Sequence, residues 1–197
     1  MASVSYQTRR DEIETYFDRT AADAWAALTS DAPVSRIRRT VRRGRDAMRE
    51  ILLSWLPEDL TGSTLIDAGC GTGVLAILAE KLGAVSIDAI DVESWCFENT
   101  VENAAMNDCK KVNAIEGDRQ LIPEKEYGTI IANINLNVLL LDIPLYAEHL
   151  RSNGKLFLSG FYTHDIPAIE SKANQNGLQM VDYQQKDNWV AAHFYKK

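Results

Sequence analysis

Cysteine, histidine and long apolar runs are scarce in this sequence, and each shortage removes a class of function. Three cysteines occur in 197 residues, Cys70, Cys96 and Cys109, with no Cys-x-x-Cys spacing among them. That pattern predicts reduced thiols and excludes a disulfide framework or a zinc ribbon. The three histidines, His149, His164 and His193, stand far apart along the chain, so no metal site is expected. No apolar stretch approaches a membrane span, and residues 1–10 are polar where a signal peptide would be apolar, so a cytoplasmic protein is expected. A basic surplus is also missing. The net charge is -7, and the part after residue 56 carries about -9. Such a body argues against a general nucleic-acid binder, which needs a basic face.

Two further absences are local. No lysine precedes Lys81 and no asparagine precedes Asn99, whereas ten of the twelve arginines lie before residue 50. Such a switch has the look of two genomes of different base composition joined near the glycine loop described next. A basic extension that prefers arginine gives the same pattern, and residues 1–56 do carry about +2.

What is present is a strand, a glycine turn and a helix in succession. Thr64-Leu65-Ile66 reads as a short buried strand, Asp67-Ala68-Gly69-Cys70-Gly71-Thr72-Gly73 follows, and Val74 to Leu82 has helical spacing up to Gly83. Glycines at alternate positions strip one side of the turn, so backbone amides and the helix N-terminus can approach a ligand closely. Asp67 stands at the carboxyl end of its strand, where doubly wound sheets bind ligands. A carboxylate there suits an ammonium group and repels a pyrophosphate. Gly71-Thr72-Gly73-Val74-Leu75-Ala76 nevertheless fits the dinucleotide pattern Gly-x-Gly-x-x-Ala as well, and a plain structural turn is a third reading.

Residues 67–73 resemble motif I of the class I S-adenosylmethionine-dependent methyltransferases, acidic-x-Gly-x-Gly-x-Gly. The resemblance implies S-adenosylmethionine and S-adenosylhomocysteine as ligands. It also implies an α/β, doubly wound, Rossmann-like sheet of seven strands in the order 3-2-1-4-5-7-6, the last antiparallel. Two narrower resemblances divide the chain. Tyr16-Phe17-Asp18-Arg19-Thr20, Ala24-Trp25, Val34-Ser35-Arg36-Ile37, Gly44-Arg45-Asp46 and Leu60-Thr61-Gly62 resemble the bacterial magnesium-protoporphyrin O-methyltransferases. Ala89-Ile90-Asp91-Val92-Glu93-Ser94-Trp95, Ala132-Asn133-Ile134-Asn135-Leu136-Asn137, Ser159-Gly160-Phe161-Tyr162 and Asn188-Trp189 resemble the methyltransferase of a large-subunit ribosomal protein. The two meet inside motif I, which implies a chimera, engineered or recombined.

An amphipathic helix is predicted over residues 9–29 and a second over Val34–Trp55, stopped by Pro57; residues 1–60 are expected to form a helical extension or lid, and 61–197 the cofactor-binding domain. Tyr16 and Trp25 are expected to cover the cofactor. Arg36, Arg39, Arg42, Arg43 and Arg49 form either a solvated face or a site for an anionic substrate such as a porphyrin propionate. A second strand ends at Asp91, whose distance beyond the glycines makes it the candidate for the ribose hydroxyls, with Val92 against adenine. Strand Val112–Glu116 leads to Gly117-Asp118, and the resemblance assigns Asp118 to the adenine amino group. Strand Gly128–Ala132 delivers Asn133, which the resemblance makes the contact to the methyl acceptor. A helix bent by Pro144 spans Asn137–Leu150, and a strand covers Gly154–Ser159. A helix over Asp165–Asn176 and a hairpin of Leu178–Gln185 with Trp189–Tyr195 complete the chain. The candidate site is therefore Asp67, Gly69, Cys70, Gly71, Gly73, Asp91, Val92, Gly117, Asp118 and Asn133, with Tyr16. The expected activity is methyl transfer to an oxygen or nitrogen nucleophile, a porphyrin propionate ahead of a protein lysine, and weak if the chain is a chimera. A non-catalytic binding protein and a dinucleotide oxidoreductase are the alternatives.

Overall fold

The computed structural model describes residues 36–197. The chain divides between Arg45 and Asp46, and the unit from Asp46 onward carries the sheet. In chain order the elements are α1 (Arg36–Trp55), β1 (Thr64–Ala68), α2 (Val74–Lys81), β2 (Ser86–Asp91), α3 (Ser94–Met106), β3 (Val112–Glu116), β4 (Tyr127–Asn133), α4 (Leu136–His149), β5 (Leu150–Tyr162), α5 (Ile166–Gln175), β6 (Leu178–Lys186) and β7 (Trp189–Lys196). Short 3-10 turns lie at Arg119–Leu121 and Thr163–Asp165. The helix expected over residues 9–29, with Tyr16 and Trp25, and the side chains of Arg36, Arg39, Arg42 and Arg43 lie outside the described residues.

One sheet of seven strands runs β3-β2-β1-β4-β5-β7-β6, the order expected. Strands β3 to β5 are mutually parallel, and β7 runs antiparallel to both β5 and β6. The sheet is covered on both faces, which is why its strands read as near-continuous apolar runs. Leu65, Ile87, Ala89, Ile131, Phe157 and Ala191 pack on one face with Met48, Leu52 and Leu56 and with Leu75, Ala76 and Ala79 of α2. Ile66, Ile90, Ile130, Leu156, Leu158, Ala192 and Phe194 pack on the other with Leu139, Ile143 and Tyr146 of α4 and Ile169 and Ala173 of α5. Met48, Leu52, Leu56 and Leu60 are buried in the same cluster as the sheet residues.

β5 is longer than its apolar centre predicts. It begins at Leu150, opposite Tyr127 of β4, and ends at Tyr162, opposite Trp189 of β7, with irregularities near Gly128 and Gly160. Between Leu150 and Lys155, where regular pairing with β4 resumes and pairing with β7 begins, the polar residues Arg151, Ser152 and Asn153 form an irregular stretch, with Asn153 at φ +60. A buried ionic group sits in β2, where the Asp88 carboxylate accepts from Tyr127 Oη at 2.8 Å and Asn113 Nδ2 at 2.8 Å and pairs with Lys125 Nζ at 2.7 Å. Asp88 is 2% exposed, and these partners offset its desolvation.

Candidate functional site

The carboxyl ends of β1, β2, β3 and β4 lie side by side, set by the registers Ala68↔Ile90, Ala68↔Ala132 and Asp91↔Glu116. The strand order reverses between β1 and β4, so the cleft of a doubly wound sheet opens there. Backbone hydrogen bonds stitch the loops together: the N–H groups of Gly69 and Cys70 donate to the Ile90 carbonyl at 2.8 and 3.2 Å, and the Gly117 N–H donates to the Asp91 carbonyl at 2.8 Å.

The glycines differ in what they do. Gly69 has φ +71, and a Cβ there would meet Ile134 Cγ2 at 2.2 Å; the loop lies against the residue that follows β4. Gly73 has φ +75, and its Cβ would meet Thr100 Cγ2 at 2.9 Å. Gly71 has φ +57, yet a Cβ there would meet nothing within 4 Å. At 69 and 73 the missing side chain admits protein; at 71 it leaves open space for a ligand.

Asp67 lies beneath the loop, with no exposed surface, and not on the cleft wall where its sequence position suggested. The cause is a helix start without a cap of its own. Gly73 offers no side chain to α2, and Asp67 Oδ2 accepts from the third helical amide, Ala76 N–H, at 3.1 Å. Oδ1 has no hydrogen-bond partner. Burial pushes the Asp67 carboxyl up to about 7; the Ala76 amide opposes the rise, and the Asp91 charge adds to it.

Asp91 is half-buried at the end of β2, its Oδ2 accepting from Gly71 N–H at 2.9 Å and its Oδ1 from Glu93 N–H at 3.1 Å. Each oxygen keeps a lone pair for one hydroxyl of a cis-diol. Val92 follows it and is 64% exposed, an apolar surface beside that carboxylate. Asp118 is exposed after β3; its Oδ1 caps the turn Arg119–Leu121 by accepting from Gln120 N–H at 2.9 Å. Gly117 packs closely on that turn, since a Cβ would meet Leu121 Cδ1 at 2.4 Å. Asn133 ends β4 half-buried, and among the described residues nothing hydrogen-bonds its side-chain amide. The Cys70 thiol is buried, and burial pushes it far above the usual thiol range, with Asp67 adding to the rise.

The fold therefore brings together Asp67, Gly69, Cys70, Gly71, Gly73, Asp91, Val92, Gly117, Asp118 and Asn133, while Tyr16 lies outside the described residues. Sequence reasoning missed Thr100 and Asn103 of α3, whose side chains donate to the carbonyls of Gly71 at 3.1 Å and Thr72 at 3.0 Å. Their spacing of three on a predicted helix, just after the ribose candidate, was the available signal. It also missed the pair formed by Tyr162 and Trp189 at the ends of β5 and β7, with ring centroids 4.6 Å apart.

A family model for the ribosomal protein L11 methyltransferase (PrmA) matches residues 50–197. The chain belongs to the ribosomal protein L11 methyltransferase family. A relative from Porphyromonas gingivalis, a ribosomal protein L11 methyltransferase, is 44% identical over 153 residues, which are 77% of this chain and 53% of that protein. The chain spans about half the length of the curated relatives of this family that it matches. A magnesium-protoporphyrin O-methyltransferase from Rhodobacter capsulatus is 51% identical over 88 residues, 44% of this chain and 39% of that one. Both resemblances thus meet real relatives. The structure of magnesium protoporphyrin IX methyltransferase from Synechocystis, solved with bound S-adenosylmethionine, covers all of both chains with a TM-score of 0.78 at 18% identity; at that identity it speaks for the fold. The methyl donor of this class is S-adenosylmethionine. The residues present fit it: an orphaned buried carboxylate oxygen beneath the loop, open space over Gly71, and a diol-ready Asp91 beside an exposed valine. Among the described residues no helix is long and apolar enough to cross a membrane, and no group of three or more His, Cys, Asp or Glu could hold a metal ion.

Proposed function

We propose that this chain binds S-adenosylmethionine at the carboxyl ends of β1 to β4 and transfers its methyl group to an amine nitrogen of a ribosomal protein. The observation that carries the proposal is Asp91, oriented by two backbone amides toward the space that Gly71 leaves open. Asp91 takes the ribose hydroxyls, Val92 the face of the adenine and Asp118 its amino group. Asp67 acts from below, its negative charge attracting a cation across a poorly screened medium. When bound, S-adenosylmethionine supplies a methyl group that a nucleophile's lone pair displaces in line from the sulfonium. The chain's part is alignment and exclusion of water. Asn133 suits alignment, since its carbonyl oxygen can accept from an amine and its N–H can donate to a carboxylate; it is no base. An amine acceptor must therefore lose its proton before transfer. Tyr162 of β5, the strand beside that of Asn133, and Trp189 of β7, the strand after it, offer an aromatic wall for the acceptor's stem.

A porphyrin propionate is the second reading, favoured by the likeness to the Rhodobacter protein. The ribosomal-protein family matches the larger share of the chain, so the order expected from the N-terminal arginines is reversed. The proposal includes a joined origin for the two halves, supported by the change in lysine and asparagine usage. Transfer is then slow, because a junction between two families shifts where an acceptor is held, and an error of about 1 Å in placing it can cost about a hundredfold. The test is transfer of labelled methyl to ribosomal protein L11 and, separately, to magnesium protoporphyrin at saturating cofactor. Slow transfer to the protein that rises with pH is expected; faster, pH-independent transfer to the porphyrin overturns the amine reading.

A further inference from the structure

We infer that Thr100 is a positioning residue of the cofactor site, acting through Gly71 on the Asp91 carboxylate. The inference rests on the cofactor reading proposed above. Thr100 sits on α3 with no exposed surface. Its hydroxyl donates to the Gly71 carbonyl at 3.1 Å, and Cys70 Sγ lies 3.3 Å from Thr100 Oγ1. A threonine has one proton to give, so with that proton on the Gly71 carbonyl the thiol is the donor to Thr100 Oγ1. A chain of three groups results, thiol to hydroxyl to carbonyl, running from the loop to α3 and back. Gly71 is then held from both sides: its carbonyl by Thr100 and its N–H by Asp91 Oδ2 at 2.9 Å. The two peptide planes that flank the Gly71 Cα are thus each held, and φ at Gly71 is +57, where glycine has no steric preference of its own to resist rotation. Thr100 supplies that resistance.

The geometry assigns the methyl of Thr100 a second task. It lies under Gly73, where an added Cβ would meet Cγ2 at 2.9 Å and Cα at 3.3 Å, so the loop rests on the threonine as well as bonding to it. Asn103, one turn further along α3, repeats the hold on the next peptide by donating to the Thr72 carbonyl at 3.0 Å. α3 thereby brackets the loop at consecutive residues, and the orientation of Asp91 toward a ribose follows from the bracket. A residue that only stabilises the fold would change unfolding without changing which part of a ligand is recognised.

The variants Thr100→Val and Thr100→Ser separate the two cases, since valine keeps the shape without the hydroxyl and serine keeps the hydroxyl without the methyl. Binding of S-adenosylhomocysteine and of its 2′-deoxyribose analogue is measured by calorimetry, with thermal unfolding alongside. In the unaltered protein the analogue binds more weakly because Asp91 loses a hydroxyl. Thr100→Val is expected to weaken S-adenosylhomocysteine about tenfold, the effect of losing one buried hydrogen bond, and to shrink the preference over the deoxy analogue. Thr100→Ser restores that preference. Overturning results are a valine variant that keeps the full preference, or one whose only change is a lower unfolding temperature. If the unaltered protein binds neither ligand, the cofactor reading itself fails, and the two failures are distinguishable.

Discussion

Replacing Asp67 by asparagine should stabilise the protein above neutral pH while weakening its hold on a cationic ligand. The folded carboxyl titrates at about 7 against an ordinary value of 3.8. Between those values the folded chain holds a proton that the unfolded chain has released, so stability falls as pH rises, and the cost is complete above about 7. That gap corresponds to about 4 kcal/mol. Asparagine keeps an oxygen to accept from Ala76 N–H but turns an NH2 toward the place where Oδ1 has no partner, which costs about 1–3 kcal/mol. The variant should therefore gain about 1–3 kcal/mol on the unaltered protein at about pH 8 and lose that advantage by about pH 5. Chemical unfolding of both proteins at the two pH values reads the difference directly. A cation over the loop favours the ionised carboxylate, so affinity of the unaltered protein for S-adenosylmethionine should rise with pH through about 7, and the variant should lose this rise. A stability difference that is the same at both pH values would refute a buried, ionising Asp67.

Three other outcomes follow from the same geometry. Gly71→Ala should fold with a loss of about 1–2 kcal/mol for its left-handed backbone yet lose S-adenosylhomocysteine, because its methyl occupies space that is otherwise open. Gly69→Ala should lose more stability, its Cβ colliding with Ile134; paired thermal unfolding and titration distinguish the two. Asp91→Ala should weaken S-adenosylhomocysteine by about 1–3 kcal/mol, or about 5- to 150-fold in Kd, as calorimetry would record.

The sheet was legible because its strands are buried on both faces and separated by glycine, aspartate and asparagine turns; Val112–Glu116 falls where its apolar run placed it. The seven-strand order came from the motif I resemblance, since periodicity carries no information on which strands are neighbours. β5 was cut short because its first residues join the sheet through the single pair of Leu150 with Tyr127 and an irregular, polar stretch that carries no strand pattern. Within the site, Asp91 and the glycines were legible from spacing. The burial of Asp67 was not, because it depends on α2 lacking a cap at Gly73, and Thr100 was not, because its partner lies 29 positions away in sequence.

The central claim, that the loop at 69–73 and Asp91 form an S-adenosylmethionine site, is tested most directly by calorimetric titration of the unaltered chain with S-adenosylhomocysteine and, in parallel, with a nicotinamide dinucleotide. One-site binding of S-adenosylhomocysteine and no heat with the dinucleotide is the predicted result. Binding of the dinucleotide alone would contradict the claim, because it would mean that the loop cradles a pyrophosphate in spite of the buried charge of Asp67.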